Sequence, residues 1–146
     1  MRRRLRGAVL ALAAVAPAGA LVAAGPQANY MLHCMGCHVA DGSGSPGRVP
    51  SVRQSLPVLS ASAAGRRFLV QVPGAAQSPL SDLELAQVLS WMIRNLSDWP
   101  VSSDFRDFSA EEVARYRKTP LVDVRGTRAQ LLAAPAGREF DPRARR

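Results

Sequence analysis

Cys34, Met35, Gly36, Cys37 and His38 put two thiols three positions apart with an imidazole directly after them. C-x-x-C-H is the attachment sequence of c-type haem. At the start of a helix the two sulfurs add to the two vinyl groups of one porphyrin and the next side chain points at the iron. Cys34 and Cys37 are therefore the expected covalent anchors and His38 the expected proximal ligand. Rival chemistries fit less well. A redox dithiol works on a βαβ scaffold, for which this chain has no pattern. Structural zinc would have to draw His33, Cys34, Cys37 and His38 from one six-residue stretch, too cramped for four ligands. A disulfide closed over two residues is strained.

The elements around this motif are read from capping residues, breakers and apolar spacing. A short helix is expected over Gln27 to about Met35, then a loop rich in Gly, Ser and Pro from Asp41 to Pro57. A second helix around Ala61 to Val70 stops before Pro73-Gly74, because the residue ahead of a proline is pushed out of the helical region. Ser81 with Glu84 forms a capping box, and Leu85, Val88, Leu89, Met92 and Leu96 recur on one face, which predicts a helix over Asp82 to Leu96. Ser109 and Glu112 repeat the capping signature ahead of Val113 and Tyr116, with Thr119-Pro120 as the stop, and a weaker helix covers Arg128 to Ala134. Strand signals are nearly absent, so the expected class is all-α. A unit as small as residues 26–100 buries too little apolar surface alone, so a cofactor should fill its centre.

The chain has 146 residues and a formal charge of +8. It lacks the uninterrupted apolar runs of about 18 to 20 residues that would make it a multi-spanning membrane protein, and it is too short for a large enzyme. Four of its nineteen basic residues, Arg2, Arg3, Arg4 and Arg6, precede an apolar stretch from Ala8 to Ala16, Pro17, and small residues up to Ala24. That is the layout of a secretory signal peptide over residues 1–24, cut after Ala20 or Ala24. An uncleaved anchor over Ala8 to Ala24 is the alternative, and it alone would give membrane contact. Export places the protein in the periplasm. Beyond the segment, fifteen basic residues face all eleven acids, which removes the main support for a nucleic-acid partner. The remainder divides into a haem unit, 25–100, and an extension, 101–146. In the extension, Phe105, Phe108, Val113, Tyr116, Leu121, Val122, Leu131 and Leu132 are spaced to pack two short helices against the haem unit. The other reading is a docking arm carrying Arg115, Arg117, Lys118, Arg125 and Arg128, with a solvated basic end at Arg143, Arg145 and Arg146.

From Gln27 to Leu96 the chain resembles a class I c-type cytochrome of the small bacterial monohaem kind. The resemblance rests on Tyr30 four residues before Cys34, the Cys34 to His38 motif, Asp41-Gly42-Ser43-Gly44, Gly47-Arg48-Val49-Pro50, and Leu80-Ser81-Asp82-Leu83-Glu84 leading into the striped helix. It implies a cytochrome c-like bundle of short helices around one covalently bound haem c. It further implies that the Pro50 carbonyl accepts the Nδ1 proton of His38, and that the last core helix crosses the first with Trp91 near the contact. The implied function is periplasmic one-electron transfer without bond-making chemistry, serving a periplasmic dehydrogenase or a respiratory chain, with a periplasmic oxidoreductase or other redox protein as partner. One departure stands out. The family's distal Met-Pro step reads Val72-Pro73 here, and valine cannot ligate iron. The sixth position is then open or water-filled, taken by Met92, Gln71, Gln77 or Lys118, or completed by a partner. Without an axial thioether the potential should fall relative to a His/Met relative. An open site would also suit the alternative function, a ligand-binding or weakly peroxidatic haem protein. Arg48, Arg66 and Arg67 are either partners for haem propionates, a docking rim, or solvated.

Overall fold

A computed structural model describes residues 24–133. Its helices run α1 (Pro26–His33), α2 (Met35–His38), α3 (Ser55–Ser60), α4 (Ala63–Gln71), α5 (Pro73–Ala76), α6 (Asp82–Leu96), α7 (Ala110–Tyr116) and α8 (Val124–Ala133). Among the described residues strand pairing amounts to one isolated antiparallel bridge between Ser45 and Val49, so the fold is all-α. The expected export segment up to residue 23 and the arginines at 143, 145 and 146 lie outside the described residues.

α6 starts and packs as its sequence pattern requires. The Glu84 N–H donates to Ser81 Oγ, and the Ser81 N–H donates to the Glu84 carboxylate at 2.8 Å, pairing two groups that a helix start leaves free. Leu85, Val88, Leu89, Met92, Ile93 and Leu96 form its buried face. α1 packs on α6, where Tyr30 is 1% exposed and its ring lies 5.4 Å from that of Trp91. Replacing Ser81 by Ala should lower stability by about 1 kcal/mol at neutral pH. The Ser81 hydroxyl and then the Ser81 amide hold the Glu84 carboxyl below the ordinary glutamate range. Its contribution is therefore present above that range and lost as pH falls through the lowered value. Thermal unfolding should accordingly find the cost of S81A shrinking in acid; an equal cost at both pH values would break the link to Glu84.

Three helix starts differ from expectation. α3 begins inside the Gly, Ser and Pro-rich loop because Pro57 is its third residue, within the first turn, where a missing N–H costs nothing. α4 ends at Gln71 with Val72 extended at ψ 139°, as the pre-proline restriction demands. Pro73 then opens α5, since its fixed φ suits the first helical position. α8 begins at Val124, ahead of Arg128, where the Gly126 N–H donates to the Asp123 carboxylate at 2.8 Å.

Residues beyond 100 share the core. Phe108, Val113 and Leu131 are buried in one cluster with Tyr30, Leu56, Phe68, Val70 and Ile93. Val113 is 0% exposed, and burying a side chain of that size contributes roughly 1.5 to 3 kcal/mol. The buried Phe108 N–H donates to Ser90 Oγ at 2.8 Å. Arg66 forks onto the Glu112 carboxylate at 2.8 and 2.6 Å and lies over the Phe108 ring at 3.9 Å.

Candidate functional site

Cys34 joins α1 to α2. Its N–H donates to the Tyr30 carbonyl at 2.9 Å, and its own carbonyl accepts from Cys37 at 3.2 Å and His38 at 3.0 Å. Cys34, Cys37 and His38 thus share one helical turn, on the i, i+3 and i+4 positions that neighbour one another. Both thiols are free of disulfide, Cys34 half-buried and Cys37 exposed. Burial, and secondarily the nearby Cys37, pushes the Cys34 thiol up, opposite to the depressed thiol of a redox dithiol. Among the described residues no group of three His, Cys, Asp or Glu side chains is placed to hold a metal ion.

The chain leaves the turn abruptly. Val39 has φ +57° and ψ 172°, a region that glycine favours and that costs a β-branched residue of order 1 to 3 kcal/mol. The Tyr30 hydroxyl donates to the Val39 carbonyl, and the Val39 N–H donates to the Met35 carbonyl at 2.8 Å. The first helix therefore fixes the exit from His38 as well as packing on α6. Gly44, at φ +73°, donates its N–H to the His38 carbonyl at 3.0 Å. A Cβ there would stand 2.4 Å from the Val49 oxygen and 2.9 Å from the Pro50 oxygen, so the proline loop folds directly onto the segment following His38.

His38 Nδ1 is buried and, among the described residues, has no hydrogen-bond partner. The bond expected from it to Pro50 is not made; the Pro50 carbonyl lies against Gly44 instead. Burial also lowers the His38 pKa, favouring the neutral imidazole that ligates metals. A turn that presents two free thiols beside a neutral histidine fits a covalently attached, iron-bearing macrocycle.

The residues weighed for the iron's other face are scattered. Met92 is 5% exposed in the core and Val72 packs against that core. Gln71 donates Nε2 to the Thr119 carbonyl at 2.8 Å, and its own carbonyl accepts from Leu121 at 3.1 Å. Gln77 and Lys118 are exposed. Arg66, one of the arginines considered for propionates, is instead committed to Glu112 and Phe108, and Arg67 lies 5.7 Å from the Tyr116 ring centroid. A groove of about 650 Å³ between residues 57–66 and 102–116 contains neither thiol nor His38. Two features escaped the sequence reading: the strained Val39 and the contacts of Arg117, described below. Nothing local in sequence marks either one.

No family model matches the chain. It is similar to a "Cytochrome c-552" from a named strain of Thermus thermophilus, 27% identical over 122 residues that cover 71% of this chain and 82% of that protein. It is also similar to a second "Cytochrome c-552" of Thermus thermophilus, 28% identical over 113 residues that cover 65% of this chain and 86% of that protein. Residues 25–100 are about half of the chain, so a match over 71% runs beyond them. Among the described residues no helix is long and apolar enough to cross a membrane.

Proposed function

Taking the chain as a small c-type cytochrome, a haem electron carrier and not an enzyme, we propose that it works in the periplasm with one haem c bound through Cys34 and Cys37 and ligated by His38. The observation that carries this reading is the single turn holding two free thiols and a histidine whose buried Nδ1 lacks a partner. When bound, haem supplies a one-electron ferric/ferrous couple. The protein's own contribution is placement. Cys34 and Cys37 hold the group to α2, the burial of His38 keeps its imidazole neutral, and Tyr30 locks the chain where it leaves the ligand. The exposed Cys37 puts the attachment point at the surface, where a periplasmic oxidoreductase or another redox protein can exchange electrons with it. The export layout of residues 1–24 supports the periplasm, since c-type haem is attached outside the cytoplasm in bacteria.

A visible spectrum of protein matured in a host with cytochrome assembly machinery tests this. The expected result is a haem band that survives denaturation and cycles on addition of a one-electron reductant and oxidant. Colourless protein, or haem extracted by acid and organic solvent, would overturn covalent attachment.

A further inference from the structure

Arg117, at the C-terminal end of α7, uses every N–H of its guanidinium on one short segment. Nε donates to the Ala76 carbonyl at 3.3 Å. One terminal nitrogen donates to Ala76 at 3.2 Å and Ser78 at 2.9 Å, the other to Leu80 at 2.9 Å and the Asp82 carboxylate at 2.8 Å. Five donors meet five acceptor contacts, the full capacity of the group, and the side chain is only 17% exposed. Among the described residues, none of the three carbonyls accepts a backbone N–H. Residues 77–81 between α5 and α6 are irregular, and Arg117 ties them to an element more than thirty positions away. A second tie binds the start of the same region, where Gln71 is held by Thr119 and Leu121.

This segment follows Val72-Pro73, the step that the resemblance to class I c-type cytochromes aligns with a distal Met-Pro. A side chain bonded to iron would anchor such a loop; residues 72–80 contain no methionine or histidine to do so. We propose that Arg117 is a positioning residue that holds residues 76–82 in place and that, were haem bound through Cys34, Cys37 and His38, would thereby govern how readily a small ligand reaches the iron. The inference rests on the haem reading above. It gives the extension a specific task, since Arg117, directly after α7, donates to all three of these carbonyls.

The test uses the matured full-length protein and its R117A, R117K and R66A variants. Arg66 is a fair control: it ties the same extension to α4 through Glu112, with 14% of its side chain exposed, and does not contact residues 76–82. Three quantities are read: thermal stability, the rate at which imidazole binds the ferric protein, and hydrogen exchange of the amides of Ala75 to Ser78. R117A and R66A should both lower stability. R117A alone should speed imidazole binding and local exchange, on the order of tenfold for the loss of several hydrogen bonds to a small opening unit, with R117K between it and the parent. Equal acceleration in R66A and R117A, or none in R117A, would reduce Arg117 to an ordinary staple and overturn the inference. Should R117A fail to fold, R117K and D82N carry the same comparison. A parent without haem would overturn the haem reading and this inference together, whereas a haem-loaded parent indifferent to Arg117 sinks the inference alone.

Discussion

Protein with both Cys34 and Cys37 replaced by alanine is expected to emerge from a cytochrome-maturing host without covalent haem, as read by intact mass and by the loss of a denaturation-resistant visible band. The two thiols differ in surroundings, and that difference separates chemistry from packing. Cys37 is exposed, whereas Cys34 is half-buried against the core. C37A alone should therefore disturb the apoprotein little yet remove one thioether, while C34A loses a thioether and some packing. A covalent group stays on the unfolded chain too, so it stabilises through the apolar surface it buries and the bond it makes to His38 in the folded state alone, and the double variant should lose several kcal/mol relative to the loaded protein. Normal covalent haem content in the double variant would overturn the assignment of both anchors.

Gly65 offers the largest expected effect on folding itself. Alanine in place of glycine inside a helix ordinarily gains about 1 kcal/mol. Here the added Cβ would stand 2.0 Å from the Leu59 carbonyl oxygen and 2.7 Å from its carbon, both backbone atoms of α3. No side chain can rotate away, so α3 and α4 must separate, although they pack on one another and Ser62 caps α4 through the Gly65 N–H itself. The expected net loss is about 2 to 3 kcal/mol, a fall in Tm of roughly 8 to 15 °C in thermal unfolding. Gly126 makes the comparison informative. Its Cβ would meet the Asp123 carboxylate at 2.1 Å, the end of a flexible side chain, so G126A should cost clearly less. Equal losses at the two positions would show that the backbone contact is not what decides.

Much of the chemistry was legible in the linear chain because it depends on neighbours a few positions apart. The Cys34 to His38 turn, the Ser81–Glu84 box, the Ser109 cap of α7 and the stop before Pro73 each involve residues within one or two helical turns. Breaker counting failed where the same residue type starts a helix: Pro57 and Pro73 sit in first turns, where a missing N–H is harmless. The burial of His38 Nδ1 without a partner was equally invisible, because it depends on how closely the proline loop settles on Gly44.

By itself, then, the order of residues determined the Cys34 to His38 turn, the helical class and the absence of a methionine at Val72-Pro73. Tertiary structure alone decided that the extension joins the core, that Arg66 belongs to Glu112, and that Arg117 belongs to residues 76–82. The reason is physical. Caps and helical turns are closed by groups near in sequence, whereas a guanidinium or a buried carbonyl takes whichever partner the packing of distant surfaces brings within about 3 Å.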